Sequence, residues 1–420
     1  MKKLFGILMA LVLALALLPT TVFAAEEVAK IDNGTTYATL EAAVKAVKEN
    51  GTVTLLKSAT GAGIGTFRNP KTGQIAAKSF TIDFGGFTYT VTDPAVGSTG
   101  FETQGFHLEW SGKGDANHNV TLKNGTIEAA KGTKNVKMLV QNYCNLTLEN
   151  MVLDGANLAG NQAYTMSNNC GNVVIKDTTI IAKENGVAFD VYGGFGNYSD
   201  VGVTITGKSV INGTVEVARD SGTQNKNTLK VENGTVNGKL KVDKNDKTTV
   251  SVIAGTFASD VSDYVDTSAS SLKQVNGQWV VKKNPGAAKI GDTEYETLAE
   301  AIAAAKAGDT VVLQKDVTIG GYQEIRKAIT VDLGGNKLTS TDGGFDVYAD
   351  LTVKNGRMET VKWAAWVQGG ADLVIEKDVS IMTTSTEGNK GGITVQNAGS
   401  SVTVFGKVEA AGGAAVSGIG

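Results

Sequence analysis

Arginine is scarce in this 420-residue chain, standing only at Arg68, Arg219, Arg326 and Arg357 among 39 basic residues. Forked recognition of phosphate or carboxylate by arginine clusters is therefore excluded as a theme. A net charge of −3 removes any strong electrostatic bid for nucleic acid, and no nucleic-acid partner is expected. Proline is also rare, with 4 Pro against 52 Gly, and aromatics make up only 6%. That balance departs from average usage toward repeated tight turns. Histidine occurs only at His107 and His118, and cysteine only at Cys144 and Cys170. Beyond the N-terminus no apolar run approaches the ~20 residues needed to cross a bilayer, so a membrane-spanning mature chain is not expected.

The one long apolar run lies at the start. Lys2 and Lys3 precede an apolar stretch from Leu4 to Leu18, and Val22-Phe23-Ala24-Ala25 follows. A positive n-region, a short apolar core and small residues at the exit make residues 1–24 a secretory signal peptide, cut after Ala24 or Ala25. The expected location is extracellular or at the cell surface. No Cys lies near the cut, so lipid attachment there has no support. Roughly 395 residues remain, too many for one ordinary core and suited to two domains or an array.

A repeated passage organises that remainder. Tyr37-Ala-Thr-Leu40-Glu-Ala-Ala-Val44 runs on to Gly51-Thr-Val-Thr-Leu55, and Tyr295-Glu-Thr-Leu298-Ala-Glu-Ala-Ile302 runs on to Asp309-Thr-Val-Val-Leu313. Each is an amphipathic helix feeding a short strand. Thr39 suits the N-cap of a first helix reaching Asn50 and stopped by Gly51. Thr297-Leu-Ala-Glu300 forms a capping box for a second helix ending at Gly308. Between these helices, segments such as Ser79–Asp83, Asn119–Lys123, Asn145–Glu149, Asn172–Lys176, Val201–Ile205, Asn227–Val231 and Thr248–Val252 alternate β-branched and polar residues. Each is a strand with one buried face, recurring roughly every 22 to 30 residues apart from one longer interval that holds the insertion Asp93 to His118.

Several strands run into Asn-Gly, as at Asn124-Gly125 and Asn233-Gly234. Such a pair can close a hairpin, or it can bend the chain in a coil whose strands pair with their equivalents one coil further on. The regular interval favours the coil. The fold class expected is therefore all-β, a right-handed parallel β-helix solenoid in two tandem stacks, each opened by a short capping helix. The first spans 30–283 with a closure at about 255–283, a linker covers 284–288, and the second spans 289–420. The second stack repeats landmarks of the first: Lys327-Ala-Ile-Thr-Val-Asp332 matches Lys78-Ser-Phe-Thr-Ile-Asp83, and Leu351–Gly356 matches Val120–Gly125. Because no segment like Phe257 to Val281 follows it, the second stack reads as an incomplete array.

The Tyr-x-Thr-Leu-x-x-Ala helix, the Val-x-Leu strand, the Asp-x-Gly-Gly coil and the Gly255-Thr-Phe257 closure resemble secreted β-helix proteins of the pectate-lyase-like superfamily. They are most similar to repetitive surface proteins of gut-dwelling Gram-positive bacteria. The resemblance covers essentially the whole mature chain and implies the fold, while the superfamily includes lyases, hydrolases and adhesin-like shafts. Its pectin hydrolases carry Asn-x-Asp, Asp-Asp, Gly-His-Gly and Arg-x-Lys signatures, which supply paired acid and base. None of the four occurs here.

Other residues invite chemistry. Asp83 and Asp332 occupy matched places and are turn formers or Ca²⁺ ligands. Gly193–Asp200 is a near miss to a calcium turn, with Asn197 where an acid belongs. No cofactor is expected, Ca²⁺ being the one candidate. Arg219-Asp220 reads as a surface ion pair. Cys144 and Cys170 fall one coil apart at the same point of the turn, and are expected as stacked neighbours, disulfide-bonded or reduced. Trp363 and Trp366 form a candidate glycan contact, yet on one strand their odd spacing would send them to opposite sides, one into the core. The function expected is a non-catalytic secreted or cell-surface adhesin-like rod contacting polysaccharide or host glycans. Alternatives are a polysaccharide lyase or glycoside hydrolase with its site beside the Asp93–His118 insertion, and a purely structural spacer.

Overall fold

The computed structural model of the chain describes residues 26–66, 78–97, 101–108, 118–161, 163–194, 199–220, 222–388 and 391–419. The signal-peptide expectation lies outside these residues. The described chain is all-β, interrupted by two short α-helices, Leu40–Ala46 (α1) and Leu298–Ala304 (α2). It divides into two compact units, 1–283 and 284–420, each with its own apolar core.

In unit 1 the chain visits three parallel ladders in turn and then returns to the first. Gly51–Leu55, Phe80–Asp83, Asn119–Ala129, Asn145–Asp154, Gly171–Lys176, Val201–Thr206, Asn227–Val231 and Thr248–Val252 each pair in parallel with the next. A second ladder runs from Ala59–Gly61 and Thr88–Val91 to Gly255–Phe257. The two ladders join in one 18-stranded sheet because Asn119–Ala129 and Asn145–Asp154 are long enough to serve in both. The third ladder is a separate seven-stranded sheet, from Ile64–Thr66 to Leu240–Val242. Alternation decides which side chains are buried: Val53, Ile82, Leu122, Leu148, Ile175 and Ile205 are all fully covered. Each such side chain contributes roughly 1.5–3 kcal/mol.

The Asn-Gly pairs bend a strand without reversing it. At Asn124 the backbone takes φ 59°, yet Lys123 pairs with Glu149 and Gly125 with Met151 in the same parallel register. The amides stack across repeats, Asn150 Nδ2 donating to Asn124 Oδ1 (3.2 Å) and Asn124 Nδ2 to Asp83 Oδ1 (3.2 Å). Two Asn-Gly pairs do lie in hairpin turns: Asn33-Gly34 stands between the antiparallel strands Ala29–Ile31 and Thr36–Tyr37, and Asn276 (φ 50°) and Gly277 (φ 79°) join Ser270–Val275 to Gln278–Lys283. The latter hairpin pairs antiparallel with Gly255–Phe257 and so closes the edge of the second ladder.

Both helices are shorter than their sequence patterns predict. Helix α1 gives way at Val47 (ψ 140°) and α2 at Ala305 (ψ 145°), so Gly51 opens a strand instead of stopping a helix. The N-termini match expectation, with Thr39 Oγ1 accepting from Ala42 N–H and a full capping box at Thr297 and Glu300. A matched lysine explains the early endings. Lys78 Nζ donates to the carbonyls of Lys45 and Val47, and Lys327 Nζ to those of Ala303 (3.0 Å) and Ala305 (2.7 Å). The freed carbonyls at each helix end are thus satisfied by a side chain from the next repeat. Unit 2 then builds three parallel ladders of its own, in sheets of seven, five and five strands, the first including an antiparallel start at Ala288–Ile290.

Candidate functional site

A parallel ladder lines up one outward residue per strand, about 4.8 Å apart. On the third ladder of unit 1 the register aligns His107, Gln141, Ser167, Asp190, Glu216 and Lys241. Their flanking residues Phe106, Val140, Met166, Phe189 and Val215 belong to the core, which puts the polar row on the opposite side. The row is knitted together. Ser167 Oγ donates to Asp190 Oδ2 (3.0 Å) and Asn168 N–H to Asp190 Oδ1 (2.8 Å). Tyr164 OH donates to Glu216 Oε2 (3.2 Å), and Lys241 Nζ lies 3.0 Å from Glu216 Oε1. Gln141 Nε2 donates to Tyr143 OH (2.8 Å), whose ring meets His107 edge-on at 5.7 Å.

Burial reshapes the acidity of this row. It pushes the Asp190 carboxyl up to about 7, with the charge of Glu216 adding to it and the bonds from Asn168 and Ser167 opposing it. It carries the Tyr164 phenol to about 12, helped by Glu216 and Asp190, and lowers His107 to about 4, leaving that ring neutral at pH 7. Neither Asp190 nor Glu216 stands out in the sequence. The available signal was a lone acid inside an apolar strand, Val187-Ala-Phe-Asp-Val191, matched one repeat later by Thr214-Val-Glu-Val217.

Unit 2 carries an aromatic face in the corresponding place. Its third ladder aligns Glu324, Asp346, Trp366, Thr394 and Ser417. Every tyrosine and tryptophan of the unit except Tyr295 lies on or beside this ladder: Tyr322, Tyr348, Trp363 and Trp366. The expected opposition of the two tryptophans is corrected here. Trp363 precedes the strand Ala365–Val367, so strand alternation does not apply to it, and the rings meet edge to face at 4.9 Å and 69°. Both are half-buried, and neither enters the core. Gln396 Oε1 accepts from Trp366 Nε1 (2.7 Å), fixing that ring. Asp346 accepts from Gln368 Nε2 (2.6 Å) and Tyr348 OH (3.1 Å), and the Arg326 guanidinium sits 4.5 Å over the Tyr348 ring. Beside this face a cleft of about 470 Å³ runs between Ile302 of α2 and Tyr322, Glu324 and Arg326.

The remaining candidates serve the scaffold. Cys144 and Cys170 are buried thiols one repeat apart, in the turns after the paired residues Asn142 and Asn168. Cys144 Sγ approaches Asn142 Oδ1 (3.2 Å), Cys170 Sγ approaches the Tyr143 carbonyl (2.9 Å), and burial pushes the Cys144 thiol up. Asp83 accepts from Gly85 N–H (3.0 Å) and Asp332 from Gly334 N–H (2.8 Å), and each also accepts from the asparagine of the next repeat. They are turn carboxylates in both units. Among the described residues no group of three or more His, Cys, Asp or Glu is placed to hold a metal ion. Arg219 is not a surface partner of Asp220: its side chain is 11% exposed, with Nη2 on the Thr223 carbonyl and Nη1 3.8 Å from Asp246. The near-miss calcium turn falls largely on 195–198, outside the described residues. No helix among those residues is long and apolar enough to cross a membrane.

Compared with protein-family models, curated proteins and solved structures, the chain finds no match.

Proposed function

We propose that the chain is a secreted glycan-contacting surface protein, each unit a right-handed parallel β-helix, with the third ladder of unit 2 as the sugar contact. The carrying observation is the gathering of Trp363, Trp366, Tyr322 and Tyr348 on one polar-lined face. Tryptophan and tyrosine left half in water present a flat apolar surface with a polar tip, which suits the C–H face of a pyranose ring. Around them Gln368, Gln396 and Asp346 offer amide donors and carboxylate acceptors for hydroxyl groups. Parallel strands favour the solenoid reading because each strand pairs with its equivalent one repeat on. Secretion rests on the Lys2–Ala25 leader.

The test is a glycan array followed by calorimetric titration of the mature full-length chain. Binding of a polysaccharide or host-type glycan is expected, with Trp366→Ala weakening it at least about tenfold, a loss of ~1.4 kcal/mol. A wild-type chain that binds nothing on the array would make the protein a spacer and end this reading.

A further inference from the structure

We infer that the hairpin tip Asn276-Gly277 is a site of self-modification, converting to aspartyl and isoaspartyl linkages in the folded chain while the other Asn-Gly pairs stay intact. Chemistry makes every such pair a candidate, because glycine places no Cβ beside its own amide nitrogen. In the first step that nitrogen bonds to the side-chain carbonyl carbon of the asparagine. The bond from that carbon to Nδ2 breaks, and ammonia leaves with the proton of the glycine N–H, closing a cyclic imide. In the second step water adds to one of the two ring carbonyls and the C–N bond there breaks. Opening at the side-chain carbonyl gives aspartate, and opening at the main-chain carbonyl gives the isoaspartyl linkage.

The reaction needs a glycine N–H free to lose its proton and an asparagine amide free to swing onto it. Nine Asn-Gly pairs stand in the chain, and the fold restrains eight of them. Gly34, Gly51, Gly186 and Gly356 each donate their N–H to a backbone carbonyl, at Ile31 (2.8 Å), Lys48 (3.0 Å), Lys183 (2.7 Å) and Asp378 (3.2 Å). Asn124, Asn212 and Asn237 engage their amides across repeats: Asn124 Nδ2 donates to Asp83 Oδ1 (3.2 Å) and Asn237 Nδ2 to Asn212 Oδ1 (2.8 Å). The backbone after Asn233 is held from both neighbouring repeats, the Gly234 carbonyl accepting from Thr256 N–H (2.9 Å) and Thr235 N–H donating to the Ser209 carbonyl (2.8 Å).

Asn276-Gly277 has none of these restraints. It is the two-residue turn between the paired Val275 and Gln278, which leaves the Gly277 N–H outside the ladder. Among the described residues neither that N–H nor the Asn276 amide has a hydrogen-bond partner. The other hairpin pair is the internal comparison: Asn33 is equally exposed, yet its Oδ1 accepts from Thr35 N–H (3.0 Å) and Gly34 is bonded as above. Lys273 to Gln278 are all exposed, and a Cβ on Gly277 would meet nothing within 4 Å. The tip can therefore swing without uncovering core, the low-cost local opening of a segment with few buried contacts. An isoaspartyl linkage lengthens this turn by a backbone carbon, and either product adds a carboxylate. Ser270–Val275 is the strand that loosens, because Gln278–Lys283 stays bound to Gly255–Phe257 with Val281 buried.

The test needs no variant to begin. The mature full-length chain is incubated in mildly alkaline water enriched in heavy oxygen, folded in one sample and unfolded in urea in another, then digested and mapped by mass. In the folded sample, label should enter at Asn276 at least about tenfold faster than at any other Asn-Gly pair. It should enter more slowly in mildly acidic buffer, where the glycine amide keeps its proton. In urea all the pairs should convert at similar rates. Asn276→Gln should remove the first acidic species from ion-exchange chromatography of the aged chain. Another Asn-Gly pair converting first, all pairs converting alike in the folded chain, or position 276 untouched once the urea sample has converted would each overturn the assignment.

Discussion

Between Ser167 and Glu216, the Asp190 carboxyl is stripped of water and receives no cation in return. Its folded-state value, about 7, lies above the usual carboxylate range, so the native state binds this proton more tightly than the unfolded chain does. The stabilising contribution is therefore complete below about pH 4 and lost as pH rises through 7. Asp190→Asn, which can still accept from Asn168 and meet Ser167, should escape that loss. Relative to wild type it should gain about 3 kcal/mol between pH 4.5 and pH 8, read from urea unfolding midpoints; a difference independent of pH would refute the buried-acid account. Single residues were also the least legible part of the sequence. Trp363 and Trp366 were recognisable as candidates, but their mutual contact depended on where the strand begins, a boundary that alternation does not mark. Asp190 was hidden because an acid in an alternating strand ordinarily faces water, and only the three-dimensional register shows Glu216 beside it.

Repeats and corners were far more legible than sites. Period-two alternation locates the strands because a one-residue slip would turn every Val and Ile outward. The matched Asn-Gly corners fix where each strand bends, although the same pair at Asn276-Gly277 closes a hairpin, and only partner strands tell the two uses apart. Helix ends misled for a different reason: the groups that end α1 and α2, Lys78 and Lys327, come from a later repeat. At the corners, backbone proximity is severe. A Cβ on Gly125 would stand 2.3 Å from Phe84 Cβ, and one on Gly356, where φ is 155°, 2.5 Å from Leu333 Cβ. Gly356→Ala is expected to cost about 2 kcal/mol or more through this overlap and the strained φ. Gly370→Ala has open space but a φ of 83°, and should cost only about 1 kcal/mol. Denaturant midpoints of the two variants would settle the ranking, and equal losses would remove the close-approach argument.

Two cores that share no cluster make unfolding of the full chain a two-step event. Scanning calorimetry should resolve two transitions. Leu338→Ala, deleting a fully buried side chain of the second core, should lower one of them by about 2–5 kcal/mol and leave the other in place. A single transition that moves as a whole would refute independent cores. The hairpin that closes unit 1 bears on how such a chain is inherited. Its strand Gln278–Lys283 runs against Gly255–Phe257, so the hydrogen-bonding groups a following parallel repeat would need are already engaged in the opposite polarity. Upstream of that plug each strand of the ladder pairs in parallel with its equivalent one repeat on, so an added repeat would meet the same hydrogen-bonding polarity on both sides. Beyond the plug, only an entire cassette with its own opening helix has a place to start, and the return of the Tyr37 passage at Tyr295, helix included, follows that grammar.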